Sequence, residues 1–245
     1  KPDPPVNPGT KTVPSRQRMP LCGRMETIMI KAVIFDMDGV LIDSEIVYLK
    51  GDLDFARTKN PAVRLEDLFG MVGSSREDAW SCMARAVNNG QTWQELRNEY
   101  RSSKDIFKEM DYRSIFRREV PGILRELKSM GLRLAVASST QLDLVERVLR
   151  ENQIDSFFEL VVSGAQFKRS KPDPEIYHYT ASHLGLSESQ CLVIEDSTFG
   201  VTAASRAGMK IAALIDDRFN FDQSLADYRM KELGEIPGIA SRLMQ

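Results

Sequence analysis

The chain has 245 residues, of which 42% are hydrophobic and 28% charged, and 33 basic against 35 acidic groups leave a formal charge of -2. This is the composition of a globular domain, and it excludes wholesale disorder, collagen and small disulfide scaffolds. The charge balance offers no field for wrapping nucleic acid or coating an anionic membrane, and no apolar run reaches the ~18 residues of a spanning helix.

Residues 1–28 stand apart. Six of the eleven prolines fall here (Pro2, Pro4, Pro5, Pro8, Pro14, Pro20), among Lys1, Lys11, Arg16, Arg18 and Arg24. No apolar periodicity accompanies them, so the segment reads as a disordered N-terminal extension. Cys22, Cys82 and Cys191 are odd in number and show no metal-binding spacing. Reduced thiols and a cytoplasmic location are the expectation.

The first element is the apolar run Ile30–Phe35, a strand buried on both faces that ends at Asp36-Met37-Asp38-Gly39. Residues 45–59 predict a helix. Residues 64–110 contain further helical patterns, over Asp78–Val87 and Trp93–Met110, with almost no strand signal. Pro121 opens a helix that runs through Lys128. Leu132–Ala137 is a second strand, ending at Ser138-Ser139, and a helix is expected at 142–151. Phe157–Val162 predicts a third strand and Pro174–Leu184 a helix. Cys191–Ile194 is a fourth strand ending at Glu195-Asp196-Ser197, followed by a small-residue helix over Gly200–Ala207 and a fifth strand over Lys210–Ile215. Strand and helix therefore alternate from residue 120 onward. The fold class is α/β, a Rossmann-like parallel sheet with helices on both faces, interrupted after strand one by an all-helical insertion. The expected boundaries are a core of 29–44 and 116–245 and a helical cap of 45–115.

In open parallel sheets, ligands bind beyond the carboxyl ends of the strands. Asp36 and Asp38 follow strand one, Ser138 and Ser139 follow strand two, and Glu195 and Asp196 follow strand four; Lys171 precedes a helix. Each alone reads as a cap or turn residue. Together, four acids, a hydroxyl pair and an ammonium meet at one sheet edge. Clustered carboxylates repel unless a cation joins them, and oxygen ligands without imidazole or thiolate favour Mg²⁺. A phosphate dianion would use Lys171, Ser138 and loop N–H groups. One carboxylate could attack phosphorus while the other moves the proton.

Asp36-Met37-Asp38-Gly39-Val40, Ser138-Ser139, Lys171-Pro172-Asp173-Pro174 and Glu195-Asp196-Ser197 resemble, in order, the four signature motifs of the haloacid-dehalogenase (HAD) superfamily. The segments Asp36–Glu45 and Gly200–Gly208 are similar to those of the beta-phosphoglucomutase-like phosphatases, which carry a helical cap. The resemblance implies Asp36 as nucleophile, Asp38 as general acid/base, and Ser138, Ser139 and Lys171 on the phosphate. It implies Mg²⁺ held by Asp36, Asp38, Glu195 and Asp196. Gly73–Asp78 resembles the specificity loop of that group, and Arg76 falls where its mutases use an arginine on a remote phosphate; helix capping at Ser75 explains the same pattern. Where mutase relatives place a hinge histidine, this chain has Tyr48. The expected function is a Mg²⁺-dependent phosphatase for a small phosphorylated metabolite, with a phosphosugar mutase as the alternative. No nucleic-acid or membrane partner is expected, and the chain is expected to be a monomer or weak dimer.

Overall fold

The computed structural model describes residues 29–74, 76–103 and 110–245. The expected disordered extension, 1–28, lies outside the described residues.

Six parallel strands form one sheet in the order β3-β2-β1-β4-β5-β6. They are β1 (Ala32–Phe35), β2 (Arg133–Ser138), β3 (Leu160–Ser163), β4 (Cys191–Glu195), β5 (Lys210–Leu214) and β6 (Tyr228–Met230). All four residues of β1 are buried. Because side chains alternate along a strand, Val33 and Phe35 join one core layer while Ala32 and Ile34 join the other. The first layer is closed by α4 (Val120–Ser129), α5 (Leu142–Glu151) and α8 (Ile236–Leu243), through residues such as Leu124, Leu127, Val148 and Ile239. The second is closed by α6 (Glu175–His183) and α7 (Thr198–Arg206), through Ile176, Tyr177, Val201 and Ala204. Helices therefore cover both faces, as the alternation predicts.

Register carries the site. Phe35 lies level with Val136 on one side and Ile194 on the other. One residue further on, Asp36 emerges beside the ends of β2 and β4, at the point where the chain order reverses.

Between β1 and β2 the described residues form helices: α1 (Glu45–Lys59), a 3₁₀ turn (Leu65–Met71), α2 (Arg76–Val87) and α3 (Trp93–Ser103). These share a core of their own, built from Leu49, Leu53, Phe55, Leu68, Met83 and Leu96. The chain crosses to and from this segment on two extended stretches that pair: the Asp43 N–H donates to Ile115 O, the Arg117 N–H to Leu41 O, and Ile42 bridges Phe116 antiparallel. A loop after β5 ties the crossing further. Arg218 reaches both Asp43 and Asp216, and the Phe219 ring meets the Phe69 ring edge-on at 6.1 Å.

Several elements differ from expectation. The predicted third strand over Phe157–Val162 is instead a 3₁₀ turn at Asp155–Phe157 followed by β3 at Leu160–Ser163. Phe157 and Phe158 pack against the core instead, and Phe158 stands edge-on to Phe35 at 6.1 Å. Helix α2 starts two residues before Asp78. Helix α3 is described to Ser103; Met110, expected at its end, is not helical, and 104–109 lie outside the described residues. Strand β6 has only three residues with exposed Arg229 at its centre, and α8 opens on Pro237-Gly238, so neither carries a strong pattern. Proline at the first turn costs no helical hydrogen bond, which is why α8 forms.

Ile34 sits in the central strand with no exposed surface. Ile34→Ala should cost about 2–5 kcal/mol by loss of burial plus a cavity. The urea midpoint should fall accordingly; a shift equivalent to under about 1 kcal/mol would show that this layer is not tightly packed.

Candidate active site

Asp36 follows β1, and its N–H is fixed by Ile194 O of the neighbouring strand at 2.9 Å. The carboxylate is buried. Lys171 arrives from 135 residues away and spends all three of its N–H groups here. They go to Asp36 Oδ1 at 2.7 Å, Glu195 Oε1 at 2.7 Å and Ala137 O at 2.9 Å. Glu195, the last residue of β4, has no exposed surface. Its Oε1 also accepts from Tyr177 Oη at 2.9 Å. Its Oε2 accepts from the N–H groups of Asp196 and Ser197 and from the Ser197 hydroxyl, at 3.0–3.2 Å. Asp196 lies beside them. Asp36, Glu195 and Asp196 each offer an oxygen within 4.8 Å of the others.

The electrostatics follow from burial. Desolvation, with Glu195 and Asp38 nearby, outweighs the Lys171 charge and pushes Asp36 up to about 7. Burial, then Glu195 and Asp36, raise Asp196 well above the usual carboxylate range. Burial also opposes the charge on Glu195, but Lys171 and the surrounding donors hold its carboxyl below its ordinary value. The Lys171 ammonium, flanked by Asp36 and Glu195, stays charged despite its burial. The cluster is thus a buried excess of negative charge with one cation. Its donors are all hard oxygens, so the residues present fit a divalent ion such as Mg²⁺.

Two glycines clear the space. Gly39 has φ +77, and a Cβ there would overlap the Asp196 carboxylate. A Cβ on Gly200, in the first turn of α7, would overlap the Glu195 carboxylate. Only a bare backbone lets the turn after β1 and the helix after β4 approach these acids.

Asp38 is held differently. Ser44 and Tyr48 donate to its Oδ1 at 2.8 and 3.0 Å, and Thr140 donates to Oδ2 at 2.7 Å. Ser44 precedes α1 and makes no side-chain cap there, its hydroxyl being used on Asp38. Ser138 is buried, and its Oγ accepts the Thr140 N–H at 3.0 Å; Ser139 is exposed at the rim. The structure brings Asp36, Asp38, Ser138, Lys171, Glu195 and Asp196 to one sheet edge, as the motifs predict. Helix α2 begins at Arg76, but Ser75 and the Arg76 side chain lie outside the described residues. His178 and His183 stay on exposed turns of α6, with Glu188 and Tyr179 O as partners.

The family model of haloacid dehalogenase-like hydrolases matches residues 33–214. The chain belongs to this family. It is 33% identical over 187 residues to the phosphorylated carbohydrates phosphatase of Thermotoga maritima, covering 74% of this chain and 83% of that one. It is 29% identical to hexitol phosphatase B of Escherichia coli K12 over 216 residues, covering 84% and 94%. Among solved structures, the beta-phosphoglucomutase of Clostridium difficile superposes with a TM-score of 0.64 at 20% identity, covering 87% and 98%, a likeness of fold. No helix among the described residues is long and apolar enough to cross a membrane.

Sequence reasoning missed Ser44, Thr140, Tyr177 and Gln223. Gln223 donates to the main-chain oxygens of Asp196 and Leu214 and so fixes the acidic turn from below. Its only signal is a glutamine in a polar loop. Thr140 follows Ser138-Ser139 directly, and a hydroxyl two residues past a strand end is ambiguous with a helix cap.

Helix α1 carries two further half-buried acids. Burial, then Asp38 and Asp36, push Glu45 up to about 8; burial pushes Asp52 up to about 6 against a hydrogen bond from Tyr100.

Two outcomes are expected. Gly39→Ala should lower phosphatase kcat/KM by roughly tenfold or more, because the displaced turn carries Asp38. It should also cost about 1–2 kcal/mol of stability from the left-handed backbone. Wild-type rates in this variant would contradict the close approach. Asp52 has a folded pKa above its unfolded value, so its favourable contribution is complete below about pH 4 and is lost as pH rises toward 6. The melting temperature of Asp52→Asn relative to wild type should therefore climb between pH 4 and 7, by the equivalent of at most roughly 3 kcal/mol. A pH-independent difference would show that Asp52 is not destabilised by burial.

Proposed function

We propose that the protein is a Mg²⁺-dependent phosphatase that hydrolyses a small phosphorylated metabolite, a sugar phosphate or similar, through an aspartyl-phosphate on Asp36. The observation that carries this reading is the convergence of Asp36, Lys171 and Asp196 beside Asp38, two residues further along the same turn. Residues 29–44 and 116–245 form the catalytic core in this reading, and 45–115 the cap.

Asp36 Oδ1 is engaged by Lys171, and Oδ2 has no hydrogen-bond partner among the described residues. Oδ2 is the oxygen free to attack phosphorus. Lys171, at 2.7 Å from the other oxygen, stands against the phosphoryl group that Asp36 would carry. Ser138 and Ser139, with the loop N–H groups that follow β2, take phosphate oxygens. Asp38 protonates the departing alcohol and then deprotonates the water that cleaves the acyl-phosphate, which returns Asp36 to a carboxylate. Asp36, the Asp38 main-chain carbonyl and Asp196 would hold Mg²⁺; Glu195, its oxygens engaged by five donors, serves that side by setting the Asp196 turn. When bound, the ion supplies the positive charge that the cluster and the phosphate lack. Arg76 is assigned to a remote anionic group of the substrate on resemblance.

Hydrolysis is favoured over mutase action by Tyr48. Its phenol donates to Asp38, and burial beside that carboxylate holds its pKa above the ordinary phenol value. It stays neutral across the physiological range and cannot take up a proton as a hinge histidine would. The support from relatives is the activity named for the Thermotoga and Escherichia phosphatases.

Asp36→Asn should lose at least about 10³-fold in kcat while folding normally, since an amide of the same size is a poor nucleophile. EDTA should abolish phosphate release and Mg²⁺ restore it. Activity of Asp36→Asn within a few-fold of wild type, or full activity in chelator, would overturn the assignment. With beta-glucose 1-phosphate, free phosphate should appear without a bisphosphate primer; primer-dependent glucose 6-phosphate formation that outpaces it would make the protein a mutase.

A further inference from the structure

The loop that joins β5 to β6, residues 215–227, touches two distant parts of the molecule. Its later half holds the acidic turn. Gln223 is only 3% exposed, and its amide donates to Asp196 O and Leu214 O. Beside it, the Asp222 N–H donates to the hydroxyl of Thr198, the first residue of α7, at 2.7 Å. The earlier half belongs to the helical segment. Phe219 packs against the segment's own core, with its ring edge-on to Phe69. The Phe221 ring lies 5.6 Å from that of Phe219 and occupies the space beside Gly73, where a Cβ would come within 2.5 Å of it. Arg218 adds the ionic link to Asp43.

Phe219 and Gln223 are four positions apart. Four residues extend over at most about 14 Å, so this stretch has little slack. If the helical segment lifts from the sheet edge, the loop has two courses. It can follow the segment and draw the Gln223 amide away from Asp196 O. Or it can stay, and leave the rings of Phe219 and Phe221 without their apolar partners. Both courses cost free energy, so the seated segment favours a fixed Asp196 turn. A metal ligand holds an ion well only when the groups around it fix its orientation. Whatever seats the segment therefore strengthens the ion's site, and by linkage the ion strengthens the seating.

We propose that this loop couples the helical segment to the metal side of the site, with Phe219 and Phe221 sensing the segment and Gln223 orienting Asp196, so that Mg²⁺ binds more tightly when the segment is seated. The proposal rests on the Mg²⁺ site of the phosphatase reading and adds a determinant of its affinity that lies outside it. Gln223 is a positioning residue, since it holds the Asp196 main chain and not the ion or the substrate.

The test titrates the full, substrate-free, EDTA-treated chain with Mg²⁺, by calorimetry and by tryptophan emission. The two tryptophans, Trp80 and Trp93, both belong to the helical segment, in α2 and α3, whereas Asp36 and Asp196 follow strands of the sheet. Emission therefore reports the segment and calorimetry the ion. Wild type should show an emission change that saturates with the calorimetric Kd. Phe69→Ala and Phe219→Ala, neither of them at a candidate ligand, should each raise that Kd by about threefold or more and shrink the emission change by about half or more. Gln223→Met keeps the bulk and loses both donors, and should raise the Kd by about tenfold. A Kd within about twofold of wild type in both Phe variants overturns the proposal, even if Gln223→Met binds weakly, because Gln223 would then be a local prop. Mg²⁺ binding by wild type without an emission change overturns it too. If Gln223→Met does not fold, the Phe variants decide, since both rings are partly exposed. A wild type that binds no Mg²⁺ by calorimetry overturns the Mg²⁺ reading along with the proposal, which separates that failure from a failure of the coupling alone.

Discussion

The structure depends on solving one electrostatic problem, three carboxylates packed out of water against one ammonium. Buried charge is tolerated only when paired and hydrogen-bonded. Lys171 supplies the pairing, and every one of its N–H groups is used. Glu195 is the most heavily bonded of the acids and behaves as the anchor of the group. Asp36 and Asp196 are left raised by burial and by their neighbours, a state of charge that a divalent cation would relieve. Much of the surrounding architecture serves this cluster. Parallel register brings the ends of β1 and β4 level, Tyr177 reaches up from α6, and Gly39 and Gly200 let backbone approach where any side chain would collide.

The helical segment is attached at the same place. Its two crossings pair with each other within a few residues of Asp38, and Arg117 donates to Gly39 O at 3.0 Å. Arg218 then links Asp43 of the first crossing to Asp216 beyond β5. A shift of the helices relative to the sheet is therefore mechanically tied to the turn that carries the acid/base candidate. Ser44 shows the trade: the residue before α1 gives its hydroxyl to Asp38 instead of to the helix end.

What the sequence disclosed, and what it withheld, divides along physical lines. The buried central strands announce themselves as short apolar runs, and the acids that follow them are legible because parallel sheets place strand ends together. Edge elements are not: β6 is three residues long, and α8 begins with a dipeptide that normally breaks helices. The strand expected from Phe157 begins only at Leu160, because aromatic residues suit both strands and core packing, and here Phe158 packs against Phe35. Thr140, Ser44 and Tyr177 were invisible for another reason. Thr140 and Tyr177 reach carboxylates 102 and 18 residues away, and Ser44, six residues from Asp38, stands where a helix cap is the ordinary reading.

The two acids of the Asp36-Met37-Asp38 turn show how environment separates like residues. They lie two positions apart, yet one faces the buried ionic cluster and the other faces hydroxyls. Asp36 touches a permanent cation, which favours its anionic, nucleophilic form whenever the cluster's excess negative charge is balanced. Asp38 touches Ser44, Tyr48 and Thr140, none of which carries charge near neutral pH. The three hydroxyls fix where the Asp38 carboxyl group points, whereas an ammonium at 2.7 Å holds Asp36. A group that must give a proton to an alcohol and then take one from water must be held in position for both, and a nucleophile must keep its charge. On the proposed reading, the division of labour within the turn follows from which neighbours the fold gives each acid, and it would reverse only if Lys171 and the three hydroxyls exchanged places.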